Sequence, residues 1–171
     1  MRRWLPWVAA ILVAVAIQLL VVLISRDVPR PAPNVWQPIS PVAMRSLPSL
    51  VTPGGTAVPV VARPAVIYFW ATWCAPCVLH LPETLALSRA LSGHTDVWLV
   101  SRDDHWQSVV RHFDGAPPSN VLHDLEGRFG DALGVSVLPT SFYFDGSRLV
   151  ARALDELSDV EAIRAMRPDP R

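Results

Sequence analysis

The sequence predicts an α/β fold with a mixed central sheet, because strand and helix patterns alternate from residue 65 onwards. Continuous apolar runs rich in β-branched and aromatic residues alternate with stretches of helical period. An Asp145-Gly146 turn then joins two further strand patterns, which is the strongest hairpin signal in the chain. A closing helical pattern follows, so the expected order is β-α-β-α-β-α-β-β-α, with parallel pairing first and antiparallel pairing after it.

The first predicted strand, Ala65 to Ala71, is apolar throughout and is therefore expected to be buried on both faces. A helix is predicted from Cys77 to Leu91, with Gly93 as its stop and Pro82 as an interior position that removes one hydrogen bond. The other predicted strands are 96–101, 120–123, 140–144 and 148–154, and the other predicted helices are 104–113, 125–133 and 158–166.

The N-terminal part of the sequence predicts one transmembrane helix. Two arginines, Arg2 and Arg3, precede an uncharged run from Trp4 to Ile24. At ~1.5 Å per residue this run is about 31 Å long, enough to cross a hydrocarbon core of about 30 Å. A cleaved signal peptide is the alternative, but no good Ala-x-Ala cleavage site follows Ile24. The N-terminal charge favours an inside amino terminus and an outside domain.

Residues 25–58 contain seven prolines and a Gly54-Gly55 pair, which predicts an extended extracytoplasmic linker between the anchor and a domain at 59–168. A short hairpin between residues 42 and 61 is a second expectation for part of this stretch. Fifteen basic and fifteen acidic residues cancel without forming a basic block. This charge pattern gives no support to a nucleic-acid partner.

The chain has two cysteines, Cys74 and Cys77, in a C-x-x-C spacing where the first strand gives way to the first helix. A thiol at a helix N-terminus faces unpaired N–H groups, which lower its pKa from ~8.5 into roughly the 3.5–7.5 range. We therefore predict that Cys74 is the attacking thiol and that Cys77 is the resolving thiol. A structural disulfide or half of a zinc site is the alternative. However, the sequence has no second cysteine pair, and Val78 follows where haem attachment needs histidine.

Three motifs in this order resemble the thioredoxin superfamily, most closely its membrane-anchored, TlpA/ResA-like branch of extracytoplasmic thiol-disulfide oxidoreductases. The motifs are the run Phe69-Trp-Ala-Thr-Trp-Cys-Ala-Pro-Cys77, Pro82 five residues later, and Val137-Leu138-Pro139-Thr140 before a strand. The 62 positions from Cys77 to Pro139 match the extra β-α insertion of that branch. The resemblance implies a thioredoxin-like fold over residues 60–167.

The resemblance also implies roles for the residues around the cysteines. Pro139 would be the cis-proline opposite the thiols, where it keeps metals away and exposes neighbouring backbone to a substrate strand. An ordinary strand-entry proline is the alternative. Leu138 and Trp73 would contact substrate, whereas Trp70 would belong to the core. No cofactor and no bound metal are implied.

The function implied is that of a protein-disulfide oxidoreductase in the bacterial inner membrane, with one transmembrane pass and its thioredoxin-like domain in the periplasm. Its partners would be proteins with cysteines or disulfides and a membrane electron-transfer protein. Reduction of substrates, for example haem-attachment cysteines in cytochrome c maturation, is favoured over a role as oxidase or isomerase. A tethered Cu(I) chaperone that uses both thiolates and His80 is the alternative from another class.

Two positions depart from the family pattern. Tyr68 stands six residues before the first cysteine, where relatives have Asp or Asn, and His80 stands where relatives have an acid three residues after the second cysteine. At i+3 from Cys77, His80 shares its helix face and could accept its proton near neutral pH. A solvated helix histidine is the alternative. The other expected surface or loop residues are Glu83, His94, His105, His112 and His123.

Overall fold

The computed structural model describes residues 13–15, 17–18, 36–43, 50, 52, 63–146, 148–154, 157 and 160–166. These residues belong to two units, Met1–Pro33 and Asn34–Arg171. In the first unit, residues 13–15 and 17–18 are helical and exposed. Within the described parts of the chain, no helix has the length and apolar character needed to span a bilayer. Most of the predicted anchor lies outside the described residues. The same is true of most of the predicted hairpin between 42 and 61 and of the first two residues of the last predicted helix.

The second unit contains the strands and helices of the fold. In chain order they are β1 (Gln37–Ala43), β2 (Ala65–Trp70), α1 (Ala75–Leu91), β3 (Asp96–Ser101), α2 (Trp106–His112), β4 (Val121–His123), a 3₁₀ turn (Leu125–Gly127), α3 (Arg128–Ala132), β5 (Thr140–Asp145), β6 (Arg148–Leu154) and α4 (Val160–Ala165).

The strands form one mixed sheet in the order β1-β6-β5-β2-β3-β4. The central strand β2 pairs in parallel with β3, and β3 pairs in parallel with β4. On its other side, β2 pairs antiparallel with β5, which forms the predicted hairpin with β6. The prediction of an α/β fold with a mixed sheet is therefore confirmed.

A hydrophobic core covers each face of the sheet. Successive side chains of β2 point to opposite faces, so this strand contributes to both cores. Val66, Tyr68 and Trp70 belong to a core that includes Cys77 of α1 and residues of α2 and α4. On the other face, Ile67 and Phe69 belong to a second core with Phe129 of α3. The whole strand is buried, which agrees with its continuous apolar sequence.

Three predictions about the elements need correction. β1 lies inside the stretch predicted as a linker, and it pairs antiparallel with β6 at the sheet edge. Residues 37–43 are therefore part of the sheet. The first helix begins at Ala75 rather than Cys77. The single helix predicted over 125–133 is divided, because Glu126 (φ 60°) and Gly127 (φ 69°) have left-handed backbone between the 3₁₀ turn and α3.

Candidate redox-active site

The two cysteines lie at the junction between the end of β2 and the start of α1. The Cys74 N–H donates to the Ala71 carbonyl oxygen at 3.2 Å, which closes a tight turn after the strand. Cys74 is the N-cap of α1, and its sulfur accepts a hydrogen bond from the Cys77 N–H at 3.3 Å. Pro76 fits the first turn of the helix, where no N–H is required. The sequence therefore places the sulfur where free N–H groups of the helix converge.

Cys74 and Cys77 form a disulfide, with an S–S distance of 2.03 Å and a Cα–Cα distance of 5.2 Å. The two cysteines that the sequence analysis predicts to exchange with substrates are therefore present in the oxidised form. Cys74 retains 6% exposure, whereas Cys77 is completely buried. Of the two cysteines, Cys74 is thus the more exposed, which fits the prediction that Cys74 attacks and Cys77 resolves. These two roles stay predictions.

The loop before β5 reaches the same edge of the sheet. Phe69, near the end of β2, pairs with Thr140 at the start of antiparallel β5, so the preceding Pro139 lies beside the end of β2. The Leu138–Pro139 peptide bond is cis, as the family resemblance implies. The Thr140 hydroxyl donates to the Val137 carbonyl oxygen at 2.7 Å, which fixes this loop. Pro139 is buried and Leu138 is half-buried.

Two tryptophans flank the turn and differ in environment. Trp73, which immediately precedes Cys74, is 68% exposed, whereas Trp70 is fully buried. The Trp70 ring contacts His112 and Phe113, with ring centroids 5.6 and 5.9 Å away. The core position predicted for Trp70 is confirmed. The substrate-binding roles predicted for Trp73, Leu138 and Pro139 stay predictions, although an exposed indole next to the reactive sulfur is available for such contacts.

A buried carboxylate, Asp103, lies against the same turn and was not among the predicted site residues. It is 3% exposed and accepts hydrogen bonds from the backbone and the hydroxyl of Thr72. A signal for it exists in the sequence, because Asp103 comes just after β3. Since the carboxyl ends of parallel strands meet at one edge of a sheet, a polar residue there lies near the end of β2.

The position predicted for His123 was wrong. It was expected at the surface or in a loop, but it belongs to β4 and is only 7% exposed. Its Nε2 lies 2.7 Å from the Asp103 carbonyl oxygen, and its ring lies 5.8 Å from that of Trp106. The hydrogen bond satisfies one ring nitrogen of this buried side chain.

Comparisons with known proteins agree with this geometry. No protein-family model matches the sequence. The chain is 32% identical over 124 residues to the thiol:disulfide interchange protein DsbE of Yersinia pestis, covering 70% of this chain and 65% of that protein. It is 32% identical over 89 residues to the Xylella fastidiosa protein of the same name, covering 51% and 44%. The solved structure of MTB DsbF superposes with a TM-score of 0.60 at 21% identity, covering 72% of this chain and 95% of that one.

The chain has a thioredoxin-like fold, and these relatives support the resemblance to the thioredoxin superfamily found in its sequence. It spans about half the length of the curated relatives that it matches. Both of these sequence relatives carry the name thiol:disulfide interchange protein.

The two departures from the superfamily pattern have distinct environments. Tyr68 is completely buried in the core that also contains Cys77. His80 is partly exposed, and its Nδ1 lies 3.2 Å from the Glu83 carboxylate, whose side chain is 68% exposed. The surface position predicted for Glu83 is thus confirmed. The role of His80 as a proton acceptor stays a prediction.

Among the described residues, no group of three or more His, Cys, Asp or Glu side chains is placed to hold a metal ion. Both cysteine sulfurs are committed to the disulfide. The disulfide at the start of α1, with exposed Trp73 next to Cys74 in the chain, is chemically suited to thiol-disulfide exchange.

Proposed function

We propose that this protein is a thiol-disulfide oxidoreductase that exchanges the Cys74–Cys77 pair with cysteines of protein substrates. The observation that carries the proposal is the disulfide at the start of α1, with Cys74 as N-cap and Cys77 buried behind it. The thiolate of Cys74 gains stabilisation from the N–H groups of the helix terminus. The names of its relatives as thiol:disulfide interchange proteins support the same activity.

The exchange has two steps in the reducing direction. The Cys74 thiolate attacks one sulfur of a substrate disulfide, forms a mixed disulfide and releases the other substrate sulfur as a thiolate. The Cys77 thiolate then attacks the Cys74 sulfur, which breaks the mixed disulfide and releases the second substrate thiolate. Two electrons pass to the substrate, the released thiolates take up protons, and the Cys74–Cys77 disulfide is restored. A dithiol donor must then reduce this disulfide for another cycle.

The reducing direction is the second part of the proposal, with haem-attachment cysteines in cytochrome c maturation as the example of a substrate class. It rests on the resemblance to TlpA/ResA-like proteins. Equilibration of the protein in glutathione or dithiothreitol buffers, with each state trapped by alkylation, measures its midpoint potential. A value well below about −200 mV would support a reductant, whereas a value near about −120 mV would indicate an oxidase.

The third part of the proposal is the setting. We place the domain in the periplasm, tethered by the uncharged run Trp4–Ile24 and supplied with electrons by a membrane partner. Membrane fractionation tests the tether. The full chain should stay with the membranes in alkaline carbonate and dissolve in detergent, whereas a chain that starts at residue 34 should be released. Release of both forms by carbonate would exclude an integral anchor.

The activity itself is tested with the reduced full chain and insulin, whose disulfides report reduction by precipitation of the B chain. Cys74→Ser should abolish the reaction, because the attacking sulfur is lost. Cys77→Ala should capture substrates as stable mixed disulfides through Cys74, because the resolving sulfur is missing. The matched variant without both cysteines should capture nothing. Insulin reduction that persists in Cys74→Ser would overturn the proposal.

A further inference from the structure

The side chain of Asp103 is linked directly to the turn that presents Cys74. Its Oδ2 accepts the Thr72 N–H at 3.0 Å, and its Oδ1 accepts the Thr72 hydroxyl at 2.5 Å. Thr72 is the second residue of the turn that the hydrogen bond from Cys74 N–H to Ala71 oxygen closes. One buried carboxylate thus binds both donors of a residue two positions before the reactive cysteine.

Asp103 is itself held from three directions. The Ser101 hydroxyl donates to Oδ2 at 2.8 Å, and the same oxygen of Ser101 accepts the Asp103 N–H at 3.0 Å. The carbonyl oxygen of Asp103 lies 2.7 Å from Nε2 of buried His123. The Asp103 carboxylate therefore accepts three hydrogen bonds, and the Asp103 backbone is held at its N–H and at its carbonyl oxygen. A buried carboxylate held in this way is a rigid support for the groups that it binds.

A second link joins the same two segments. The Arg102 N–H donates to the Trp70 carbonyl oxygen at 2.8 Å, just where β2 ends. Together with the two bonds from Thr72, this contact ties the segment after β3 to the segment after β2. Trp73 in this turn is exposed, so its side chain does not anchor the turn in the core. The Asp103 carboxylate holds the turn through its two bonds to Thr72.

We propose that Asp103 is a positioning residue for the redox centre, which acts on Cys74 through Thr72. By fixing the turn, it holds the Cys74 sulfur at the N-cap of α1, where the Cys77 N–H binds it. A sulfur held in its reactive geometry attacks more often than one on a loose turn. Near the cysteines, Tyr68 and His80 occupy the two positions where the family pattern has an acidic or amide residue. Asp103 supplies a buried carboxylate from the segment after β3. This inference rests on the proposed function.

The test uses the reduced full chain and the rate of insulin reduction at fixed pH, well below the melting temperature of each variant. Thr72→Val retains the shape of the side chain and the backbone N–H but removes the hydroxyl that Asp103 binds. Asp103→Asn removes the charge at constant size. Each variant should slow the reaction by about tenfold, which is near the lower end of what one hydrogen bond to a charged group contributes. Thr72→Ser, which restores the hydroxyl, should recover most of the rate.

The double variant distinguishes positioning from a general loss of stability. Because both substitutions act on the bond between the Thr72 hydroxyl and Asp103, Thr72→Val combined with Asp103→Asn should be no slower than the slower single variant. Asp124→Asn is the matched control. It alters another buried carboxylate, which binds Arg102 and the backbone N–H groups of Phe129 and Gly130 in α3 rather than the turn. It should lower the melting temperature without changing the rate by more than twofold.

The outcomes separate this inference from the proposed function. If the parent reduces insulin and Cys74→Ser does not, the function holds, and the Thr72 and Asp103 variants then decide the inference. Rates within twofold of the parent in Thr72→Val and Asp103→Asn would overturn it, as would multiplicative losses in the double variant. Should Asp103→Asn fail to fold, Thr72→Val and Thr72→Ser give the same decision, because they leave the carboxylate in place.

Discussion

Arg102 and Asp124 form an ion pair at the C-terminal edge of the parallel strands, with Nη1 of the arginine 3.0 Å from Oδ2 of the aspartate. The same Nη1 donates to the Gly127 carbonyl oxygen at 2.7 Å. Asp124 also accepts the backbone N–H groups of Phe129 and Gly130, at 2.9 and 2.8 Å. The pair therefore holds the start of α3 and its left-handed connection against the sheet, next to the segment that supports the redox turn.

The first prediction concerns Gly130, which lies directly under this ion pair. A Cβ atom at this position would overlap Nη1 of Arg102 and lie 3.0 Å from Oδ2 of Asp124. Gly130→Ala should lower the free energy of unfolding by about 1–3 kcal/mol, because the partly buried guanidinium of Arg102 must move away from the buried Asp124 carboxylate. Urea denaturation measures the change.

Asp131→Asn is the control for that experiment. Its carboxylate binds the other Arg102 nitrogen at 2.9 Å but is 69% exposed, so water replaces the contact. It should change the free energy of unfolding by no more than about 1 kcal/mol. An unchanged urea midpoint in Gly130→Ala would contradict the assigned packing.

Much of the fold follows from local patterns in the sequence. The bounds predicted for β3 and β6 match the structure, since each strand is a short run rich in apolar residues with strand period. The junction at Cys74 could also be predicted from the sequence, because a buried strand, two thiols and a helix pattern follow one another along the chain. Each of these signals lies within a few residues, so no distant contact is needed to detect it.

Features that depend on distant contacts were missed. β1 contains Pro38 and Pro41, which argue against a strand, yet an edge strand tolerates proline where its missing N–H faces away from the ladder. Its partner β6 lies more than a hundred residues later along the chain. Asp103 was missed for the same reason, because its link to Thr72 spans 31 positions. His123 carried no sign of burial, since three-residue β4 is too short to show a period.

The second prediction tests the revised start of the domain. A chain that begins at residue 59, the boundary expected from sequence, lacks β1 and leaves β6 as an open sheet edge. It also lacks Trp36, whose ring packs edge-on against Tyr143 at 6.3 Å. It should be less stable than a chain beginning at residue 34 by about 2–4 kcal/mol. Equal urea midpoints for the two chains would show that β1 contributes little to the domain.

The third prediction concerns Trp73. Because its indole is 68% exposed, Trp73→Ala should leave the free energy of unfolding within about 0.5 kcal/mol of the parent. If the indole contacts protein substrates, the same change should lower the rate of insulin reduction by about fivefold or more, as for a buried aromatic anchor in an interface. Oxidised glutathione is the control substrate, because it is too small to cover the indole fully. Equal losses with both substrates would indicate an altered sulfur rather than lost binding.

The fourth prediction concerns His80, which shares a helix face with Cys77 and lies 3.2 Å from the Glu83 carboxylate. If its imidazole accepts the Cys77 proton, resolution of the mixed disulfide should slow by about tenfold or more in His80→Ala, because general-base assistance is lost. At higher pH, solvent hydroxide removes the proton and the rates should converge.

The resolving step is measured from pH 5 to 9 by forming the mixed disulfide between reduced protein and a glutathione disulfide, then following its decay. His94→Ala is the matched control, since His94 is an exposed histidine in the turn after α1, at the end of the helix remote from Cys77. It should reproduce the parent profile. Parallel profiles for His80→Ala and the parent over this pH range would assign proton removal at Cys77 to another group, and would leave His80 as a surface residue paired with Glu83.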